Sequence, residues 1–168
     1  MTLDWARREA PQECPPQQAW DVVRRFATGV AVVTTGSGPT THGTTVSSFA
    51  MVSRVPPMIS VALRRDSAGL ARLKEEEVFT VNMLAHEQWA LAAHFAAASR
   101  AYGLARPAAA AWCHDVVSGP ALRGAVGWLE CRTELALPVG DHELVVARVR
   151  AAVAGDGSPL VQYGRARQ

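Results

Sequence analysis

Apolar and polar residues follow two rhythms along this chain, and the rhythm changes wherever glycine, proline and hydroxyl residues cluster. Over residues 17–27 apolar positions recur at helical spacing, with Trp20, Val23 and Ala27 in one row and Val22 and Phe26 beside them. Thr28-Gly29 follows with a residue type that accepts a left-handed helix end, so a first helix is predicted there. Residues 30–35 are β-branched and apolar, 36–39 read as a turn, and 40–46 resume as a strand, which makes a hairpin. A short apolar piece at 49–52 precedes Pro56-Pro57, which stop any helix and lead into a strand over 58–64. Ser67 is a candidate N-cap for a helix to Glu76 with Leu70 and Leu73 inward. Residues 78–84 alternate as a strand does, and Phe79, Val81 and Met83 are expected to face the core.

Residues 86–97 return to helical spacing, with Trp89, Ala93 and Ala96/Ala97 in one stripe and Leu91 and Phe95 in another. Residues 99–120 hold two prolines and many alanines without a period; loops of that length in compact domains are often lids or interface arms. A long strand over 125–137, a turn at 138–141, a second long strand over 142–153, a turn at 155–157 and a short strand over 160–163 close the chain. Mostly antiparallel strands with two or three inserted helices predict a mainly β fold, a closed barrel with helices at its rim. Residues 1–16 mix charge, glutamine and proline and are expected to be a mobile arm ahead of one domain over 17–168.

Composition narrows the possible functions. The chain has 168 residues, enough for one core without a disulfide or structural metal, and 49% hydrophobic against 19% charged residues excludes disorder beyond the ends. A formal charge of +2 with dispersed arginines gives no nucleic-acid footprint. Cys14, Cys113 and Cys131 are odd in number and make no Cys-x-x-Cys pair, so neither a disulfide framework nor a metal site is indicated. Cys113-His114 looks like a ligand pair, but no second pair stands at metal-binding spacing and chance is the better reading. With no apolar leader and no long apolar run, neither a signal peptide nor a membrane span is expected, and the cytoplasm is the expected location.

The candidate chemistry lies in residues 42–67. Thr44-Thr45-Val46-Ser47-Ser48 supplies hydroxyls and backbone N–H groups that can donate to a planar heterocycle or a phosphate. Arg64, Arg65 and Ser67 add charged donors and a helix start, where unpaired amides favour an anion. The plain alternative is a Ser/Thr-rich strand end followed by a solvated arginine pair. No G-x-G-x-x-G follows a strand and no Walker A loop is present, so a nicotinamide or nucleoside triphosphate would need another kind of site.

Taken together and in order, FATGVAVVTT (26–35), HGTTVSSFAMVSRVPPMISVAL (42–63), VFTVNML (78–84), GAVGWLECR (124–132) and GDHELVVARV (140–149) resemble the flavin reductase-like family, the reductases of two-component monooxygenases. The resemblance implies an FMN-binding split β-barrel of Greek-key type, with about six to seven antiparallel strands and two to three flanking helices. It also implies a homodimer, FMN or FAD as flavin, NADH or NADPH as hydride donor, and a partner monooxygenase that takes the reduced flavin. On this resemblance the flavin ring lies along Thr44, Thr45, Val46, Ser47 and Ser48, whose fixed amides can stabilise charge that develops on reduction. The ribityl chain and phosphate then pass Ser60, Val61, Ala62 and Leu63 towards Arg65, Asp66 and Ser67, with Arg64 as the rival cation because neighbouring strand residues face opposite ways.

Asn82 is a further contact under the same resemblance, its alternative being a buried amide bonded to backbone. His142 of Gly140-Asp141-His142 is assigned to positioning the nicotinamide or managing a proton, against a solvated strand-start histidine. His94 and Phe95 are placed at the flavin end of their helix, His42 and His86 at the surface, and Trp112 and Trp128 in a core or dimer interface. Residues 100–116, RAYGLARPAAAAWCHDV, depart from the family's Gly/Pro-rich loop and leave two rival functions open. One is a flavin-retaining oxygenase or oxidase acting on a small organic substrate. The other is a non-catalytic flavin or haem binder.

Overall fold

The computed structural model describes residues 13–38, 41–97, 112–113, 118–164 and 166–167. The helices are α1 (Pro16–Val23), α2 (Ala68–Glu76) and α3 (Trp89–Ala96), the last entered through a 3-10 turn at His86–Gln88. The strands are β1 (Thr28–Gly29), β2 (Ala31–Thr35), β3 (His42–Val46), β4 (Ala50–Ser53), β5 (Met58–Arg64), β6 (Val78–Met83), β7 (Trp112–Cys113), β8 (Ala121–Leu122), β9 (Gly127–Val139), β10 (His142–Ala154), β11 (Val161–Tyr163) and β12 (Ala166–Arg167). Most of the predicted arm and of the unreadable stretch lies outside the described residues. One described piece of that stretch forms a strand: β7 pairs with β8, which lies just beyond it, Trp112 opposite Leu122.

Seven strands make one antiparallel sheet in the order β3-β2-β6-β9-β10-β5-β4. The apolar run of β2 explains its central place, because all five residues are buried. Ala31 and Val33 point into a core with Val61, Leu63, Leu70, Leu73, Phe79, Val81 and Val145, which is the inside of the curled sheet closed by α2. Val30 and Val32 point the other way, into a second core with Leu84, Leu91, Phe95, Trp112 and Leu160 under α3. Alternation along one strand therefore serves two cores at once. β6 repeats the arrangement, and it corrects the one-faced strand expected there: Phe79 and Val81 enter the first core, while Thr80 and Asn82 are also at 0% exposure. Their polar groups are bonded, Thr80 Oγ1 donating to Gly119 O (2.8 Å) and Asn82 Nδ2 to Val32 O (3.1 Å).

The predicted closed barrel is split. β4 pairs with β5 only between Met58 and Ser60, and among the described residues no ladder joins β5 to β3 at the other margin of the sheet. Beyond Ser60, a side chain bridges the gap: Ser48 Oγ accepts from Ala62 N (2.9 Å) and donates to Ala62 O (3.0 Å). Two bulges in the β9–β10 pairing, at Val146/Ala147 and Val149/Ala151, bend these long strands round the barrel.

The first helix differs from its pattern. α1 ends at Val23 and buries none of its residues, leaving Trp20 (63%), Val22 (65%) and Val23 (60%) exposed. Thr28-Gly29, read as a helix stop, is instead a strand paired with Gln162 and Val161 of β11. His42, expected at the surface, is buried at 8% because it lies on β3 opposite Thr35.

Candidate functional site

A cavity of about 730 Å³ opens along the split of the barrel. Thr44, Thr45, Val46, Ser47 and Ser48 form one wall. Ala62, Leu63, Arg64, Asp66 and Ser67 form the other, with the first turn of α2 (Ala68, Gly69), Phe95 and Ala96 of α3, and His142 completing it. The volume lies within the ~300–1,000 Å³ range of sites for cofactors and substrates of moderate size. A cavity of 150 Å³ lined by Val30, Leu160 and Gln162 adjoins it, sharing Thr45, Ser47 and Ala96.

Several hydroxyls on these walls are already engaged. Thr45 Oγ1 donates to Ala92 O (2.8 Å), which ties β3 to α3, and Ser48 is the bridge to Ala62. Ser67 Oγ donates to Arg64 O (2.7 Å) and accepts from Leu70 N (3.2 Å), so it caps α2 as predicted and fixes the loop before it. The first amides of α2 then stand at the cavity without helical acceptors, which suits an anion. Close approach is needed here: a Cβ at Gly69 would lie 2.9 Å from Thr44 Cγ2, so only glycine lets the helix start sit against β3.

The arginine facing the cavity is Arg64. It shares a face of β5 with Ala62, two residues earlier, and lies opposite His142 in the β10 ladder, whose side chain therefore projects on the same side. Arg65 turns towards the β9–β10 connection, its N bonding Asp141 O (3.0 Å) and its Nη1 donating to Gly140 O (3.4 Å). Ser60 (6% exposed) and Val61 (0%) are buried in β5 and do not line the cavity. Asn82 does not line it either: besides Val32 O, its Nδ2 donates to Thr34 Oγ1 (3.1 Å) and its Oδ1 accepts from Leu122 N (2.7 Å). The buried-amide alternative describes that geometry.

Charge gathers at one end. The Arg64 guanidinium is held above its usual range by its hydrogen bonds to Asp66, and the Asp66 carboxyl is correspondingly held below the usual carboxylate range. His142 Nδ1 lies 2.8 Å from Asp141 Oδ1, and this contact lowers the Asp141 carboxyl in turn. Cys131 stands apart, its thiol pushed up to about 12 by burial in the first core, and it stays protonated and unreactive. Among the described residues no group of three or more His, Cys, Asp or Glu side chains could hold a metal, and no helix is long and apolar enough to cross a membrane.

Trp20 was missed as a lining residue. Its helical spacing announced an apolar face but nothing in the local pattern connects α1 to a strand end so distant in sequence. Phe95, expected at the ligand end of α3, does line the cavity and meets Trp112 edge to face at 5.9 Å.

The family model described as flavin reductase like domain matches residues 23–168. An NADPH-flavin oxidoreductase of Streptomyces viridifaciens is 34% identical over 157 residues, covering 92% of this chain and 81% of that protein. The reductase component of a 4-nitrophenol 4-monooxygenase/4-nitrocatechol 2-monooxygenase from Rhodococcus opacus is 34% identical over 163 residues, covering 97% and 85%. Among solved structures, BorF, the flavin reductase component of a bacterial two-component tryptophan halogenase, superposes with a TM-score of 0.85 at 33% identity, covering 92% of this chain and 97% of its own.

Proposed function

We propose, from the premise that this chain belongs to the flavin reductase-like domain family, that the split of its barrel is a flavin site at which NADH or NADPH is oxidised. The activity is that of an NAD(P)H:flavin oxidoreductase: hydride passes to FMN or FAD, and the reduced flavin goes to a partner monooxygenase. The observation that carries the reading is the 730 Å³ cavity walled on one side by residues 44–48, with Arg64 and the Ser67-capped start of α2 at its other end.

The residues fit a flavin. When bound, the flavin supplies the hydride-accepting ring. Residues 44–48 with Phe95 would hold that ring, and Arg64 with the first amides of α2 would hold the phosphate, the role weighed earlier for Arg65. His142 is proposed beside the reaction, oriented by Asp141. The test is steady-state oxidation of NADH and of NADPH with added FMN or FAD. Turnover well above the uncatalysed rate with at least one pair is expected. Bound flavin with no turnover would sink the reading, and flavin that stays bound through dialysis would favour a retained cofactor.

A homodimer belongs to the same proposal. Its support is the unburied apolar side of α1 and its exit, Trp20, Val22, Val23 and Phe26, the last 76% exposed, together with Val55 at 92%. Trp20 lines the cavity as well, so an α1 covered by a second subunit would bring the interface to the ligand. Sedimentation equilibrium is expected to give twice the 18.0 kDa chain mass. A monomer at micromolar concentration would refute it.

A further inference from the structure

Arg64 meets the cavity already engaged. Its Nε donates to Asp66 Oδ1 at 3.0 Å and its Nη2 to Asp66 Oδ2 at 2.6 Å, a side-on fork across one edge of the guanidinium. A phosphate is recognised through the same kind of edge. The two side chains are 67% and 68% exposed, so the pair contributes little to stability, and the α2 cap is made by Ser67 and not by Asp66. Asp141 is a second carboxylate whose field reaches Arg64. The charged groups around this end are thus Arg64 and Arg65 against Asp66 and Asp141, with His142 across the ladder from Arg64. Formally they cancel when the histidine is neutral. An end built only to retain a dianion would not carry a carboxylate clamped on its own cation.

We propose that Asp66 is a specificity-determining residue that limits how tightly the site holds a flavin phosphate, by competing for Arg64 and by placing a negative charge beside the dianion. Flavin mononucleotide then leaves readily after reduction and behaves as a substrate, which suits a protein whose product is used elsewhere. This rests on the flavin reductase reading and adds to it the residue that keeps the flavin exchangeable. Asp66 lines the cavity only where the phosphate is assigned, so its effect falls on the phosphate and spares the ring.

The experiment titrates the intact chain with FMN and with riboflavin, which lacks the phosphate, and follows quenching of flavin fluorescence. Asp66→Asn keeps the shape and removes the charge. FMN is expected to bind about tenfold more tightly, with a steeper loss of affinity as salt is raised, since the cation is no longer internally neutralised. Riboflavin affinity is expected to stay within about twofold, and Asp66→Glu, which restores the charge, to return FMN affinity towards the original value. Equal shifts for FMN and riboflavin, or no shift for FMN, overturn the proposal. Failure of the underlying reading looks different: the unaltered protein would then bind flavin without oxidising NADH or NADPH. Absence of FMN binding in every variant overturns both.

Discussion

His142→Asn is expected to lower kcat for NAD(P)H-driven flavin reduction by about a hundredfold, the scale on which a positioned acid–base group contributes, while FMN affinity changes by less than about threefold. His142 opens β10 directly opposite Arg64, which puts its ring on the cavity side of the sheet. Its Nδ1 is 2.8 Å from Asp141 Oδ1. A neutral ring donating from Nδ1 leaves Nε2 as an acceptor, and the carboxylate fixes the orientation of both. The split between kcat and flavin affinity decides its role, because the same position beside Arg64 would also suit a phosphate contact. Unchanged kcat at saturating flavin, with a raised flavin KM, would reassign His142 to anion binding.

Asn82→Ala is expected to destabilise the protein by about 2–4 kcal/mol, through loss of several buried hydrogen bonds and a small cavity. Asn82 is at 0% exposure, and its amide joins three elements: Val32 and Thr34 of β2, its own strand β6, and Leu122 of β8. Thr34 Oγ1 still donates to Pro120 O (2.7 Å) after the change, so the largest share of the cost falls on Leu122 N, left buried without its 2.7 Å acceptor. The orientation of the amide follows from its neighbours, since one end meets an N–H and the other a carbonyl. Urea denaturation measures the effect, with flavin titration on the folded protein expected to change less than about threefold. A loss of flavin affinity with stability within about 0.5 kcal/mol of the parent would restore Asn82 as a cofactor contact.

What could be read beforehand depended on whether a signal was local. The strand at 58–64 and the Ser67 cap follow from adjacent residues, Pro56-Pro57 on one side and a hydroxyl three residues before Leu70 N on the other, and both stand where expected. That residues 44–48 stand together at one strand end, where they wall the cavity, was legible for the same reason. The choice between Arg64 and Arg65 was not, because it depends on the phase of β5 against β10, and that phase is a tertiary property. Asn82 looked equally like a ligand donor or a strut, and only the arrival of Leu122, forty residues on, decides between those geometries. The apolar spacing of α1 announced a buried face without saying what buries it, and none of its residues is buried within one chain.

The split itself has a mechanical consequence. Between Thr44 and Ser48 on one side and Ala62 and Ser67 on the other, the hydroxyl bridge of Ser48 to Ala62 stands, among the described residues, where a row of ladder bonds stands elsewhere in the sheet. A sheet parts most easily along such a seam, and any molecule lodged there grips both margins. Occupancy and resistance to unfolding then become one equilibrium, with every tenfold rise in free ligand above its dissociation constant adding about 1.4 kcal/mol. A ligand held at this opening would therefore tie its own concentration to the resistance of the fold to unfolding.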